Sequence, residues 1–153
     1  PGEAGDVTVH SSTQHPTEIQ HKVAEALGQP MHSVRVETRR MGGGFGGKES
    51  QGNALAVACA VVAAQTGQPV KMRYDRDDDM IITGKRHDFT IDYDVGFNHE
   101  GMIEGIDFAL ASRCGMSADL SGPINDRAMF HCDNAYYLDT KRDKMGHDLP
   151  RED

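Results

Sequence analysis

The sequence predicts an α+β fold, a mixed sheet with two packed helices, and three observations carry that expectation. Short runs alternate apolar and polar residues with the period of a strand, as at Val7 and Val9 or at Val34 and Val36. Two longer runs have helical character: Ile19, Val23, Ala26 and Leu27 form a stripe within residues 16–27, and residues 53–65 (NALAVACAVVAAQ) are apolar on every face. Between the second strand and the second helix lies RRMGGGFGGKES, residues 39–50, where five glycines occupy six successive positions and no regular element can persist.

Taken in order, residues 6–12 (DVTVHSS) are a strand with one buried face. Pro16 suits the first turn of a helix, where its missing N–H would have had no intrahelical partner, and Gly28 with Pro30 beyond it ends that helix. Residues 33–38 (SVRVET) are the second strand and run into the glycine loop. The run 53–65 follows; being apolar all round, it is expected to be a helix buried on all sides until Gly67 and Pro69 stop it. Residues 70–75 (VKMRYD), 89–95 (FTIDYDV) and 101–111 are expected as further strands, with 98–101 (NHEG) as a hairpin turn. A helix is expected within 119–134. Residues 140–153 are nearly all polar and carry no periodicity, so a domain over 1–138 is expected to be followed by a disordered polar tail over 139–153.

Composition excludes several functions. Hydrophobic residues make up 37% of 153 and are joined by 17 glycines, which is enough for a packed core. Sixteen Lys and Arg stand against 24 Asp and Glu, a net charge of −8, and nucleic-acid affinity rests on basic patches that such a chain lacks. The three cysteines are too few and too scattered for a disulfide framework and fit a reducing compartment. No run approaches the ~18 apolar residues needed to span a bilayer, and the first residues have no signal-peptide character, so the chain reads as cytoplasmic with no membrane partner.

The glycine loop sits where a strand turns toward a helix, a place whose exposed amides favour anions and whose bare backbone admits a close ligand. Gly42, Gly44 and Gly47 match G-x-G-x-x-G, with Asp75 ending the next expected strand, although Phe45 is bulky where a pyrophosphate approaches. One reading is therefore a small standalone binding module that uses the loop for a dinucleotide or another anionic ligand. Gly42, Gly47 and Lys48 also match the frame of a P-loop, but Glu49 replaces the hydroxyl that reaches Mg²⁺ and would repel a triphosphate. Residues 75–80 (DRDDDM) resemble the start of a Ca²⁺ loop, yet Met80 and Arg86 fall at positions six and twelve, which leaves a solvated turn. The eight histidines show no HExxH pair and no cysteine partner at zinc spacing, so no protein-ligated metal is expected. Gln14, between the first strand and the first helix, is by its own neighbourhood a loop amide.

RRMGGGFGGKE closely resembles the pterin-binding glycine loop of the xanthine dehydrogenase and xanthine oxidase family of molybdenum hydroxylases. SSTQHPTEIQHKVAEALGQP before it, and TGQPVKMRYDRDDDMIITGKRHDF and DRAMFHCDNAYY after it, resemble the same family's molybdenum subunit in order and spacing, so the resemblance covers about residues 7–137. It implies that residues 1–138 are part of a larger molybdopterin-binding domain. The enzyme implied oxidises purines such as hypoxanthine and xanthine, with water as oxygen source. Its molybdenum is held by the dithiolene of a pyranopterin, with no protein ligand.

Carried over by position, the resemblance implies that Gln14 hydrogen-bonds an oxo ligand of molybdenum and that the backbone of Phe45 and Gly46 lies against the molybdopterin. It implies that Glu49 binds and orients the purine; aldehyde oxidases of the same family generally lack this glutamate. Electrons would leave through iron–sulfur clusters and FAD on other domains or subunits, because this sequence has no cluster-binding cysteine pattern. The full enzyme is expected to be an oligomer. The chain alone is expected to be an inactive fragment, because the family's second substrate-binding arginine and its general base have no counterpart before Asp153.

Overall fold

The computed structural model describes residues 2–136 and 141–145 and has the expected α+β class, with four α-helices and five strands among the described residues. The elements form two small sheets where one was expected. The chain divides into two compact units, one ending at Arg86 and one beginning at His87.

In the first unit β1 (Val7–His10) and β2 (Val34–Glu37) pair in parallel, with Val7 opposite Val34 and Val9 opposite Val36. A parallel pair needs a crossover, which α1 (Pro16–Leu27) supplies. Strand alternation turns Val7 and Val9 inward, and the helical stripe turns Ile19, Val23 and Ala24 to meet them. Gly28 closes α1 in the left-handed region, its N–H donating to Ala24 O and Glu25 O. Helix α2 (Asn53–Thr66) lays Ala56 and Ala60 on the same cluster, which includes Val34 and fixes the angle of both strands.

Three expectations for this unit are corrected. Helix α2 is not buried on all sides: Ala56, Ala60 and Ala63, spaced by about one turn, are buried, while Val62 is 44% exposed. Its small residues let it approach α1 closely along one stripe with Val57 packed beside it, while Ala54, Ala58 and Val62 on the opposite side are exposed. Residues 70–75 form no strand; the backbone runs without a ladder to Asp75, which caps α3 (Arg76–Ile82). The Asp75 carboxylate accepts from the Asp78 N–H at 2.8 Å, and Asp77, Asp78 and Asp79 sit at the positive end of the helix dipole, so the acidic run begins a helix where a turn was expected.

In the second unit β3 (Phe89–Phe97) and β4 (Ile103–Ser112) form the expected hairpin. Asn98 makes the turn: its Oδ1 accepts from the N–H groups of Glu100 (2.9 Å) and Met102 (3.0 Å), and Gly101 takes the positive φ of 81°. Helix α4 (Ser121–Phe130) falls inside the expected interval. Strand β5 (Lys141–Met145) pairs in parallel with β4 and makes this sheet mixed, although it lies in the stretch expected to be an unstructured tail. A ladder is a main-chain interaction and needs no apolar alternation, which is why the sequence pattern did not reveal it. The remainder of that expected tail, 139–140 and 146–153, lies outside the described residues. Phe89, Ile91, Tyr93, Val95 and Phe97 share one face of β3 and are all exposed.

Because Ile19 is fully buried in the cluster that sets the strand angle, Ile19→Ala should destabilise the first unit by about 2–5 kcal/mol. Val62→Ala, on the uncovered side of α2, should change stability by less than about 0.5 kcal/mol. Urea titration followed by circular dichroism separates the two by the shift in midpoint.

Candidate functional site

The loops that follow β1 and β2 leave from the carboxyl ends of a parallel pair, the edge at which open α/β sheets bind ligands. The first is short and polar, running from Ser11 to His15; the second contains the glycine cluster. Pairing continues one step past the strands, with Ser11 N–H donating to Glu37 O at 3.1 Å. The loops then meet at Lys48. Gln14 N–H donates to Lys48 O at 2.9 Å, and the hydroxyl of Thr13, which is 4% exposed, donates to the same oxygen at 3.1 Å. In return Gln14 Oε1 accepts from the N–H groups of Gly46 (3.2 Å) and Lys48 (3.3 Å). An atom that receives two N–H donors is the amide oxygen, so the orientation of Gln14 is defined and Nε2 is its donor end. Lys48 Nζ donates back to Met41 O and joins the two arms of the loop.

The glycines have local reasons. Gly43, at φ 130°, lies under the Phe45 ring, which would stand 2.7 Å from a Cβ placed there. A Cβ on Gly44 would stand 2.9 Å from Gln14 Nε2, so the amide rests directly on the bare backbone. Phe45 is 74% exposed, and Gly46 is exposed with its N–H already donated to Gln14. Glu49 is half-buried, and its carboxylate has no hydrogen-bond or ion-pair partner among the described residues. Thr38 Oγ1, buried where β2 enters the loop, is likewise without a partner.

Beside this arrangement an open cavity of about 640 Å³ is lined by His10, Ser11, Ser12, Glu37, Arg39 and Arg40. Glu37 is engaged by Arg35 at 2.9 Å and His10 at 3.5 Å, while Arg39 and Arg40 are exposed and pair with no acid among the described residues. The lip is therefore locally cationic. Among the described residues no group of three or more His, Cys, Asp or Glu side chains is placed to hold a metal ion. No helix of the described residues is long and apolar enough to cross a membrane.

The structure brings Gln14, Phe45 and Gly46 together, with Glu49 following directly on Lys48. It gives no support to a dinucleotide site: Asp75, the expected ribose ligand, caps α3, and Phe45 covers Gly43 where a pyrophosphate would lie. Thr13 and Lys48 were not singled out as members of the site by the sequence. Their contact joins residues 35 apart, and no local pattern marks a buried threonine in a polar turn.

A glycine loop at the carboxyl ends of a parallel βαβ pair, edged by arginines that pair with no acid among the described residues, is suited to an anionic organic cofactor. The chain belongs to the family of molybdopterin cofactor-binding domains, whose model matches residues 1–144. It is 46% identical over 137 residues to the xanthine dehydrogenase/oxidase of Mus musculus, 41% over 142 residues to the xanthine dehydrogenase of Drosophila subobscura, and 43% over 138 residues to that of Dictyostelium discoideum. These alignments cover at least 90% of this chain but only 10–11% of each relative, so the chain spans about a tenth of the length of the curated relatives it matches. These relatives are oxidoreductases by name.

The contrast between Gly44 and Gly47 is testable, since Gly47 has no atom within 4 Å of a Cβ and no positive φ. Gly44→Ala should push the Gln14 amide off the loop and speed hydrogen exchange of residues 44–50 at least about tenfold, the loss of one to two hydrogen bonds. Gly47→Ala should leave exchange there unchanged.

Proposed function

We propose that this chain supplies the glycine-loop wall of a molybdopterin site in a hydroxylase that oxidises purines. The observation that carries the reading is the fixed orientation of Gln14: with Oε1 occupied by the loop amides, Nε2 is left to donate to an acceptor above Gly44. An oxo ligand of molybdenum is such an acceptor. The site suits the group in other respects too. A metal brought in by its own dithiolene needs no protein ligand, and the open backbone at Gly42, Gly46 and Gly47, where nothing lies within 4 Å of a Cβ position, leaves room for a flat ring system. When bound, the molybdopterin supplies a metal that accepts two electrons from the substrate carbon, while water provides the oxygen.

The chain's own residues bind and orient. Phe45 and Gly46 present their main chain to the cofactor from the exposed arc of the loop. The carboxylate of Glu49, unpaired among the described residues, is free to hydrogen-bond a purine ring and to steady charge that moves onto that ring during oxidation. Iron–sulfur clusters and FAD on other domains or subunits would take the electrons onward, in an oligomeric cytoplasmic enzyme.

In the full polypeptide, Glu49→Ala should slow purine turnover by roughly one to two orders of magnitude, the equivalent of about 1.5–3 kcal/mol for a charge-assisted bond, and should leave aldehyde turnover much less affected. Steady-state kinetics with xanthine and with an aromatic aldehyde make the comparison; equal losses would show that Glu49 is structural. The chain alone should contain no molybdenum when purified from cells able to make the cofactor. Sites of this kind bury most of their ligand, and one loop with one glutamine covers only a small part. Stoichiometric metal by elemental analysis would overturn that expectation.

A further inference from the structure

We propose that Thr13 is a positioning residue of this site: with Gln14 it forms a clasp that grips residues 46–48 and holds the glycine loop in its ligand-ready shape. The inference rests on the functional reading above for what the loop receives, but the clasp itself stands on geometry. Thr13 acts through Gln14 and Lys48.

The bonds of the clasp run in both directions between two consecutive residues and one distant loop. Lys48 O receives the Thr13 hydroxyl and the Gln14 N–H, and Gln14 Oε1 receives the N–H groups of Lys48 and Gly46. The pattern extends the join between the two strand ends by other means, reaching several residues beyond the last ladder pair, His10 with Glu37. The Thr13 hydroxyl is committed on both sides, since it also accepts from His15 N–H at 2.9 Å. A hydroxyl that accepts from one backbone group and donates to another cannot rotate away without leaving a buried polar atom unsatisfied. One side chain thereby ties the start of α1 to the glycine loop.

The loop needs such a tie. Gly42, Gly43 and Gly46 all have positive φ, and Gly44 to Gly47 are exposed, so packing does little to select one conformation from the many open to glycine. The clasp also locates the functional groups at either end of its reach. It holds the Gln14 backbone, so that the amide lies across Gly44 with Nε2 against that bare backbone, and it holds Lys48, the residue from which Glu49 departs. Loss of the Thr13 hydroxyl should therefore be felt at both groups.

The test uses the full polypeptide with Thr13→Val, which removes the hydroxyl and keeps the shape, and Thr13→Ser, which restores it. Hydrogen exchange of residues 44–50 by mass spectrometry is the first readout; pterin and molybdenum content is the second. Thr13→Val should speed exchange across 44–50 at least about tenfold, leave residues 20–27 of α1 unchanged and lower cofactor content. Thr13→Ser should match wild type. Unchanged exchange at 44–50 in Thr13→Val, or failure of Thr13→Ser to restore protection, would overturn the proposal, and so would acceleration spread equally over α1. Should Thr13→Val not fold, Gln14→Glu serves in its place: it keeps the acceptor for Gly46 and Lys48 N–H but removes the donor end. Loop protection should survive in Gln14→Glu and vanish in Gln14→Ala, and equal loss in both would overturn the clasp. Failure of the functional reading looks different, because wild-type protein would then hold no pterin while loop protection still followed the clasp.

Discussion

The parallel register of β1 and β2 is the constraint on which the first unit depends. It is set by apolar packing, because Val7, Val9 and Val34 must all face α1 and α2. A slip of one residue would turn each strand's buried set outward and carry the following loop about 3.3 Å along the strand direction. Hydrogen bonds do not stretch that far. The contacts between Gln14 and Lys48 would be lost with the core contacts, so a single register serves both stability and the site.

This arrangement explains how an exposed glycine run keeps a shape. Main-chain amides in most loops are satisfied by turns within the loop or by water; here two are satisfied by a side chain anchored on the neighbouring strand's exit. Lys48 contributes its amine as well, joining the loop's descending arm to Met41. The glycines are then explained one by one: Gly43 makes room for the Phe45 ring, and Gly44 makes room for the Gln14 amide. A segment with almost no hydrophobic contact keeps its order because that order is borrowed from a buried threonine and a half-buried glutamine.

Much of this was legible in the sequence. The first strand, first helix, second strand, second helix and the hairpin could be placed from periodicity, Pro16, Gly28, Gly67 and the Asn98 turn, all of which act locally. Glycine density located the loop, and family resemblance drew attention to Gln14. What escaped was set by long-range or main-chain interactions. The apolar circumference of α2 said nothing about which face would be covered, and the extended 70–75 stretch found no partner strand. Strand β5 was hidden because a main-chain ladder leaves no mark on side-chain pattern. Thr13 was hidden because its burial depends on Lys48, far along the chain. Asp75 offered an acidic residue at a suggestive distance from the loop, and its helix cap could be seen only once the following aspartates were known to be helical.

The two arginines at the cavity, which pair with no acid among the described residues, have a consequence for capture of an anion. On its own charges the chain carries −8 overall, so an approaching anion meets repulsion at a distance and attraction only at the lip formed by Arg39 and Arg40. Mobile ions screen over about 8 Å at physiological ionic strength, which weakens the distant field more than the close one. Raising the salt concentration should therefore help an anion reach this mouth, the reverse of the behaviour of a surface that steers by uniform positive charge.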